Sequence, residues 1–111
     1  MANAATAERM DRVAHALSDG TRRGLLRLVR DDERAAGDLA GEFRHISRPA
    51  VSQHLRVLHD AGLVAVRRDG NRRLYRARVE GLSEVWRYID DMWSDRLGKL
   101  KRAVEQGERN R

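Results

Sequence analysis

Cysteine is absent from this 111-residue chain. That excludes a disulfide framework, a thiolate metal site, a thiol nucleophile and redox sensing by thiols, and it fits a cytoplasmic protein. Long apolar runs are missing too: the longest, residues 61–66, falls far short of the roughly 20 residues a membrane helix needs. The opening MANAATAERM has no apolar signal core, so no membrane partner is expected. Leucine, isoleucine, valine and phenylalanine together number 24, just above the level of about one-fifth below which charged chains tend to stay disordered. Such a chain can build only one small core, and a core this lean favours oligomerisation. There is no glycine-rich phosphate loop and no hydrolase-like Ser/His/Asp spacing, so no catalytic residue, cofactor or enzymatic activity is expected. Repeats, low-complexity stretches and linkers are also absent. The chain reads as a single domain over 1–111, with short frayed ends near residues 1–5 and 107–111.

Arginine is what the sequence has in excess. The formal net charge is +6, and the segment 67–78 supplies +5 of it, with Arg67, Arg68, Arg72, Arg73, Arg76 and Arg78 against the single acid Asp69. The planar guanidinium fork suits bidentate contact with phosphate or guanine. A polyanion is the expected partner.

Hydrophobic spacing organises the rest. Met10, Val13, Ala14 and Leu17 predict a first helix over about 7–17, and Leu25, Leu28 and Val29 a second over about 21–30, capped by Asp19. Ala36, Leu39, Ala40 and Phe43 predict a short third helix over 36–43. The fourth has the clearest start, with Ser47 as N-cap and Pro49 in the first turn, where a missing N–H costs nothing. Ile46 and Val51 stand where they can staple the entry, and Gly62 is placed as a left-handed cap at the exit. The third and fourth helices, over 36–62, form a helix-turn-helix. Residues 63–68 and 72–79 read as two strands around the three-residue connection Asp69-Gly70-Asn71, a basic β-hairpin over 63–79. A last helix is expected over about 81–106. The fold class is therefore mainly α with a small β-hairpin, a winged helix-turn-helix flanked by helices that pack as a dimer.

At about 100° per residue, Val51, Leu55 and Leu58 share one arc of the fourth helix and face the core. The opposite arc carries Pro49, Ser52, Gln53, Arg56 and Asp60, with Arg48 at its N-terminal flank. That arc holds the chemistry of base reading. Arg48 and Arg56 can fork onto guanine, Gln53 can pair with adenine, Ser52 can bond either base, and Pro49 can touch a thymine methyl. No acid lies between residues 44 and 59 to repel phosphate, and Asp60 marks where contact should stop. In the hairpin, Arg72 and Arg73 beside the turn are best placed for phosphate or the minor groove, followed by Arg68, whereas Arg76 and Arg78 are candidates for pairing with acids. The histidines make no metal site: His54 and His59 sit about 140° apart around a helix, and His15 and His45 have no partner in sequence. His54 reads as a structural or phosphate-contacting residue.

On the last helix, Leu82, Val85, Trp86, Ile89, Met92, Trp93, Leu97, Leu100 and Val104 recur at spacings of 3 and 4. The stripe is too apolar for a small monomer to leave wet, so a second copy of the chain is expected to cover it. A two-fold dimer would set its reading helices near 34 Å apart, one duplex turn. An effector pocket beside Trp86, Met92 and Trp93 is the sharper alternative to interface core. Asp90, Asp91 and Asp95, with Arg87, Arg96 and Lys99 nearby, read as a solvated, ion-paired face.

The run Leu17-Ser18-Asp19-Gly20-Thr21-Arg22-Arg23, the segment Ser47-Arg48-Pro49-Ala50-Val51-Ser52-Gln53-His54-Leu55 through Ala61-Gly62-Leu63-Val64, and Arg73-Leu74-Tyr75 resemble the ArsR/SmtB family of bacterial transcriptional repressors. The likeness spans about residues 8–105 and is most specific in the middle. It implies a homodimer that binds an inverted-repeat operator in double-stranded DNA and blocks transcription, often of its own operon. It also implies an interface built from the first and last helices, here Met10, Val13 and Leu17 with Leu82, Val85, Trp86, Ile89, Met92, Trp93, Leu97 and Leu100. Many such relatives sense metals through cysteines before the reading helix or through His and Asp on the last helix. Ala36-Gly37-Asp38-Leu39-Ala40 holds no thiol and no histidine follows His59, so metal sensing is not expected and no effector is identified. A protein- or RNA-interaction module using the basic wing and the apolar last helix is the alternative.

Overall fold

Side chains set where two of the helices begin. In a computed structural model, which describes residues 4–109, Asp19 accepts a hydrogen bond from the Arg22 backbone N–H and opens α2 (Gly20–Leu28). Ser47 accepts one from the Ala50 N–H and opens α4 (Arg48–Asp60), with proline in its first turn. The other helices are α1 (Ala4–Leu17), α3 (Ala36–Gly41) and α5 (Ser83–Arg109), the last entered through a 3-10 turn at Val79–Leu82. Strands β1 (Arg34–Ala35), β2 (Val64–Asp69) and β3 (Arg72–Ala77) form one antiparallel sheet in the order β1-β3-β2. The arrangement is a winged helix-turn-helix, with α3 and α4 as the helical pair and β2 and β3 as the wing. Among the described residues no helix is long and apolar enough to cross a membrane.

Three local features differ from the sequence expectation. Arg34–Ala35 is a strand, pairing with Tyr75 and Leu74, because β3 offers it a ladder; two residues are too few to display a period of two. The wing connection has two residues rather than three, since Asp69 pairs with Arg72. Gly70, at φ +63°, takes the left-handed position there. Helix α3 stops at Gly41 because the Glu42 and Phe43 N–H groups reach back only three residues, to the Leu39 and Ala40 carbonyls at 3.2 Å each, a tightening common at helix ends.

The exit of α4 is a full left-handed cap. Gly62 has φ +77°, its N–H donates to the His59 carbonyl at 2.9 Å, and the Leu63 N–H donates to the Leu58 carbonyl at 3.0 Å. These two bonds satisfy the carbonyls a helix end leaves open. They also deliver Leu63 and Val64 into the core, where Val51, Leu55 and Leu58 meet Val13, Ala16, Leu25, Val29, Leu39 and Tyr75. Val13, expected at an interface between copies, is only 3% exposed within one chain. It is core, because its side of α1 packs against its own domain and offers a second copy no surface.

The Gly62 turn is held against the 3-10 turn that leads into α5. A methyl group on Gly81 would lie 2.8 Å from the Gly62 carbonyl carbon and closer still to its oxygen, so backbone must move to admit it. Gly81→Ala is therefore expected to destabilise the chain by about 1–3 kcal/mol, measured as a lowered urea midpoint at unchanged slope. A midpoint equal to that of the parent chain would mean the α4 exit and α5 are not in tight register.

Candidate nucleic-acid interface

The amphipathic pattern of α4 decides which of its side chains are available. Val51, Leu55 and Leu58 are fully buried, while Arg48, Pro49, Ser52, Gln53, Arg56 and Asp60 are exposed, as the helical arcs require. The sheet register does the same for the wing. Side chains of directly opposed residues share a face, so Arg68 lies beside Arg73 and Val66 beside Tyr75 on one side of the hairpin. That side borders α4: Pro49, Ser52, Gln53 and Arg56 line one groove with Val66, Tyr75 and Arg73. A second concavity brings Arg48, at the N-terminus of α4, together with Arg72 and Arg73 beside the wing turn and Gly37 and Asp38 of α3. The two hollows share Arg73, so Arg48, Arg56, Arg72 and Arg73 border adjoining concavities with the hydrogen-bonding side chains of α4.

The wing arginines divide by face. Arg67, on the side away from α4, makes a two-pronged hydrogen bond to Glu33, from Nε at 2.8 Å and Nη2 at 2.7 Å. That pairing holds the Glu33 carboxyl below its ordinary range and raises Arg67 above its own. Arg72 reaches Asp38 at 3.3 Å, both side chains being well exposed; such a pair is weak and exchanges readily for phosphate. Arg78, a candidate for pairing with an acid, instead donates to the Gly62 carbonyl at 3.1 Å. Among the described residues, Arg68, Arg73 and Arg76 are in no ion pair.

His54 is placed apart from the groove residues. It is half-buried on the flank of α4 that faces α2, with Nδ1 at 3.2 Å from Arg22 Nη1 and 4.0 Å from Asp19 Oδ2. Sequence reasoning did not single out Arg22, yet it is the one buried charged side chain among the described residues. Its guanidinium donates to the Ala16 and His15 carbonyls, each at 2.8 Å, closing the C-terminus of α1. Asp19 sits below its ordinary carboxyl range, first because it caps the Arg22 N–H, with smaller contributions from nearby His54 and the Arg22 charge. The run Asp19-Gly20-Thr21-Arg22 marks the helix start, but nothing local signals that Arg22 turns inward.

The surface expected between copies sits mainly on α5. Trp86 is 66% exposed and Leu100 is 60% exposed, with Leu82, Met92 and Trp93 also open. Met10, Leu17, Val85 and Ile89 are half-buried, and the Leu97 side chain lies outside the described residues. Tyr88 meets Trp93 edge to face at 6.0 Å. Arg9 of α1 donates to Glu84 of α5 at 2.7 Å, joining the first and last helices. Among the described residues, Asp90, Asp91 and Asp95 make no ion pair with Arg87, Arg96 or Lys99; the ion pair described within this helix is Lys101 with Glu105, at 4.0 Å. Among the described residues no group of three His, Cys, Asp or Glu side chains could hold a metal ion.

Residues 19–66 match the model of the bacterial regulatory protein family arsR. The HTH-type transcriptional regulator Rv2034 of Mycobacterium tuberculosis is 41% identical over 95 residues, covering 86% of this chain and 88% of its own. The crystal structure of a possible transcriptional regulator for arsenical resistance is 40% identical and superposes with a TM-score of 0.64, over 80% of this chain and 92% of that one. A possible ArsR-family regulator from Mycobacterium bovis was solved in solution as a homodimeric winged helix-turn-helix DNA-binding domain. It is 30% identical, with a TM-score of 0.65 over 85% of this chain and 86% of that one.

Proposed function

This chain belongs to the arsR family of bacterial regulatory proteins, and from that premise we propose that it is a cytoplasmic homodimeric repressor that reads an inverted-repeat operator in duplex DNA. The observation that carries this reading is the shared surface of α4 and the wing, where Gln53 and Arg56 share a groove with Arg73. Base edges fall to the exposed arc of α4, with Arg56 and Arg48 as guanine forks, Gln53 as the adenine amide, and Ser52 and Pro49 as adaptable contacts. Phosphates fall to Arg68, Arg72 and Arg73 of the wing, which position the helix without reading sequence.

The test is a titration against duplex DNA from upstream of the protein's own gene, with a scrambled duplex as control, at about 150 mM salt. Tight binding to the native duplex alone is expected. Gln53→Ala and Arg56→Ala should each cost about 1–3 kcal/mol at the base they read and relax preference there, whereas Arg73→Ala should weaken every sequence alike. If all three variants weaken native and scrambled duplexes equally, the division between reading and positioning residues is wrong.

A further inference from the structure

The contact between α2 and the flank of α4 gives His54 a defined role. Arginine carries only donors, so the 3.2 Å contact between Arg22 Nη1 and His54 Nδ1 requires Nδ1 to present its lone pair. The neutral ring must then carry its proton on Nε2. Nε2 has no hydrogen-bond partner among the described residues, and it is not among their buried unpartnered atoms. The side chain keeps 22% of its surface, so the free donor has access to solvent.

Position on the helix says what such a donor can meet. His54 lies about 100° around α4 from Gln53, on the flank between the exposed arc and the core. A helix seated in the major groove turns its flanks toward the phosphate backbones that bound the groove. We propose that His54 is a phosphate-binding residue of the operator complex, donating from Nε2, and that Arg22 is its positioning residue, fixing the tautomer and the ring plane. This rests on the DNA-binding reading above.

Arg22 suits the task because it is itself immobile. It is buried, its Nε and Nη2 are held by the Ala16 and His15 carbonyls, and only Nη1 is left for the histidine. Asp19 Oδ2, at 4.0 Å from Nδ1, already accepts from the Arg22 backbone N–H at 3.1 Å. Its charge is offset by Arg22 and by the start of α2, so it does not bar an anion from the far side of the ring.

Two substitutions separate the two ring nitrogens. His54→Asn keeps an acceptor near Nδ1 and removes the Nε2 donor; His54→Gln keeps a donor near Nε2 and removes the acceptor. At pH 8, His54→Asn should lose about tenfold in affinity for native and scrambled duplexes alike, while His54→Gln should recover most of that loss. The contact is made by a neutral group, so the slope of affinity against salt should stay unchanged in both, unlike the loss of an arginine. In the free protein, nitrogen NMR should place the His54 proton on Nε2, and Arg22→Lys, lacking the fork, should mix the tautomers. An Nδ1-protonated ring in the wild type, or His54→Asn binding as the wild type does, overturns the proposal while operator binding stands. Wild-type protein that does not distinguish the native duplex overturns the operator reading instead, and the tautomer is still read independently on the free chain.

Discussion

A chain carrying Trp86→Lys and Trp93→Lys is expected to sediment as a monomer and to lose about 10²–10⁴ in affinity for a two-half-site duplex, the gain that tethering a second site supplies. Its affinity for a single half-site should be nearly unchanged. The reason lies in how α5 distributes its apolar residues. Trp86, Trp93, Leu100 and Val104 fall on one side of the helix over about 27 Å at 1.5 Å per residue, Leu82 in the preceding 3-10 turn adds to them, and all are exposed in the single chain. An aromatic side chain of this size buries about 150–250 Å², and a stable interface needs roughly 1,200–2,000 Å² in all, which two such stripes facing each other can supply. Both tryptophans lie outside the core, so lysine at each leaves the monomer fold standing and circular dichroism should not change. A double variant that remains dimeric would put the interface elsewhere, and a wild-type chain that sediments as a monomer would remove the two-fold model of operator reading.

Much of α4 was legible because its signals act over short range. Ser47, Pro49 and Gly62 mark the two ends of α4 through contacts within one turn, and the burial of Val51, Leu55 and Leu58 follows from helical geometry alone. The groove-side identity of Arg73 needed the hairpin register, which follows from Asp69 facing Arg72 and so from the length of the turn. What sequence could not reveal depends on long-range approach. Glu33 and Arg67 are 34 residues apart, and Arg22 meets His54 across 32, so neither pairing leaves a local pattern. Strand β1 exists only because β3 is beside it. Val13 shows the limit of periodicity: the spacing gives it an apolar face of α1, but not which neighbour covers that face. Its own domain does.

The division of the wing into two faces also fixes how binding should respond to salt. If the dimer neutralises about six to ten phosphates, affinity should fall on the order of 10³–10⁵ between 50 and 200 mM salt. The charges responsible can be told apart by slope. Arg73 borders α4, forms no ion pair among the described residues and stands beside Arg68. Removing it should flatten the log–log slope by about 0.9 per phosphate, roughly 1.8 for the dimer. Arg67 carries the same formal charge three residues before Gly70 of the wing turn, but it faces away from α4 and its fork is engaged by Glu33 at 2.7–2.8 Å. Arg67→Ala should leave the slope where it was, because no counterion is released by a charge that the protein has already neutralised. Binding measured at four or more salt concentrations for the two variants decides the matter: equal flattening by both would mean that Glu33 releases Arg67 on binding and that both faces of the wing reach the duplex.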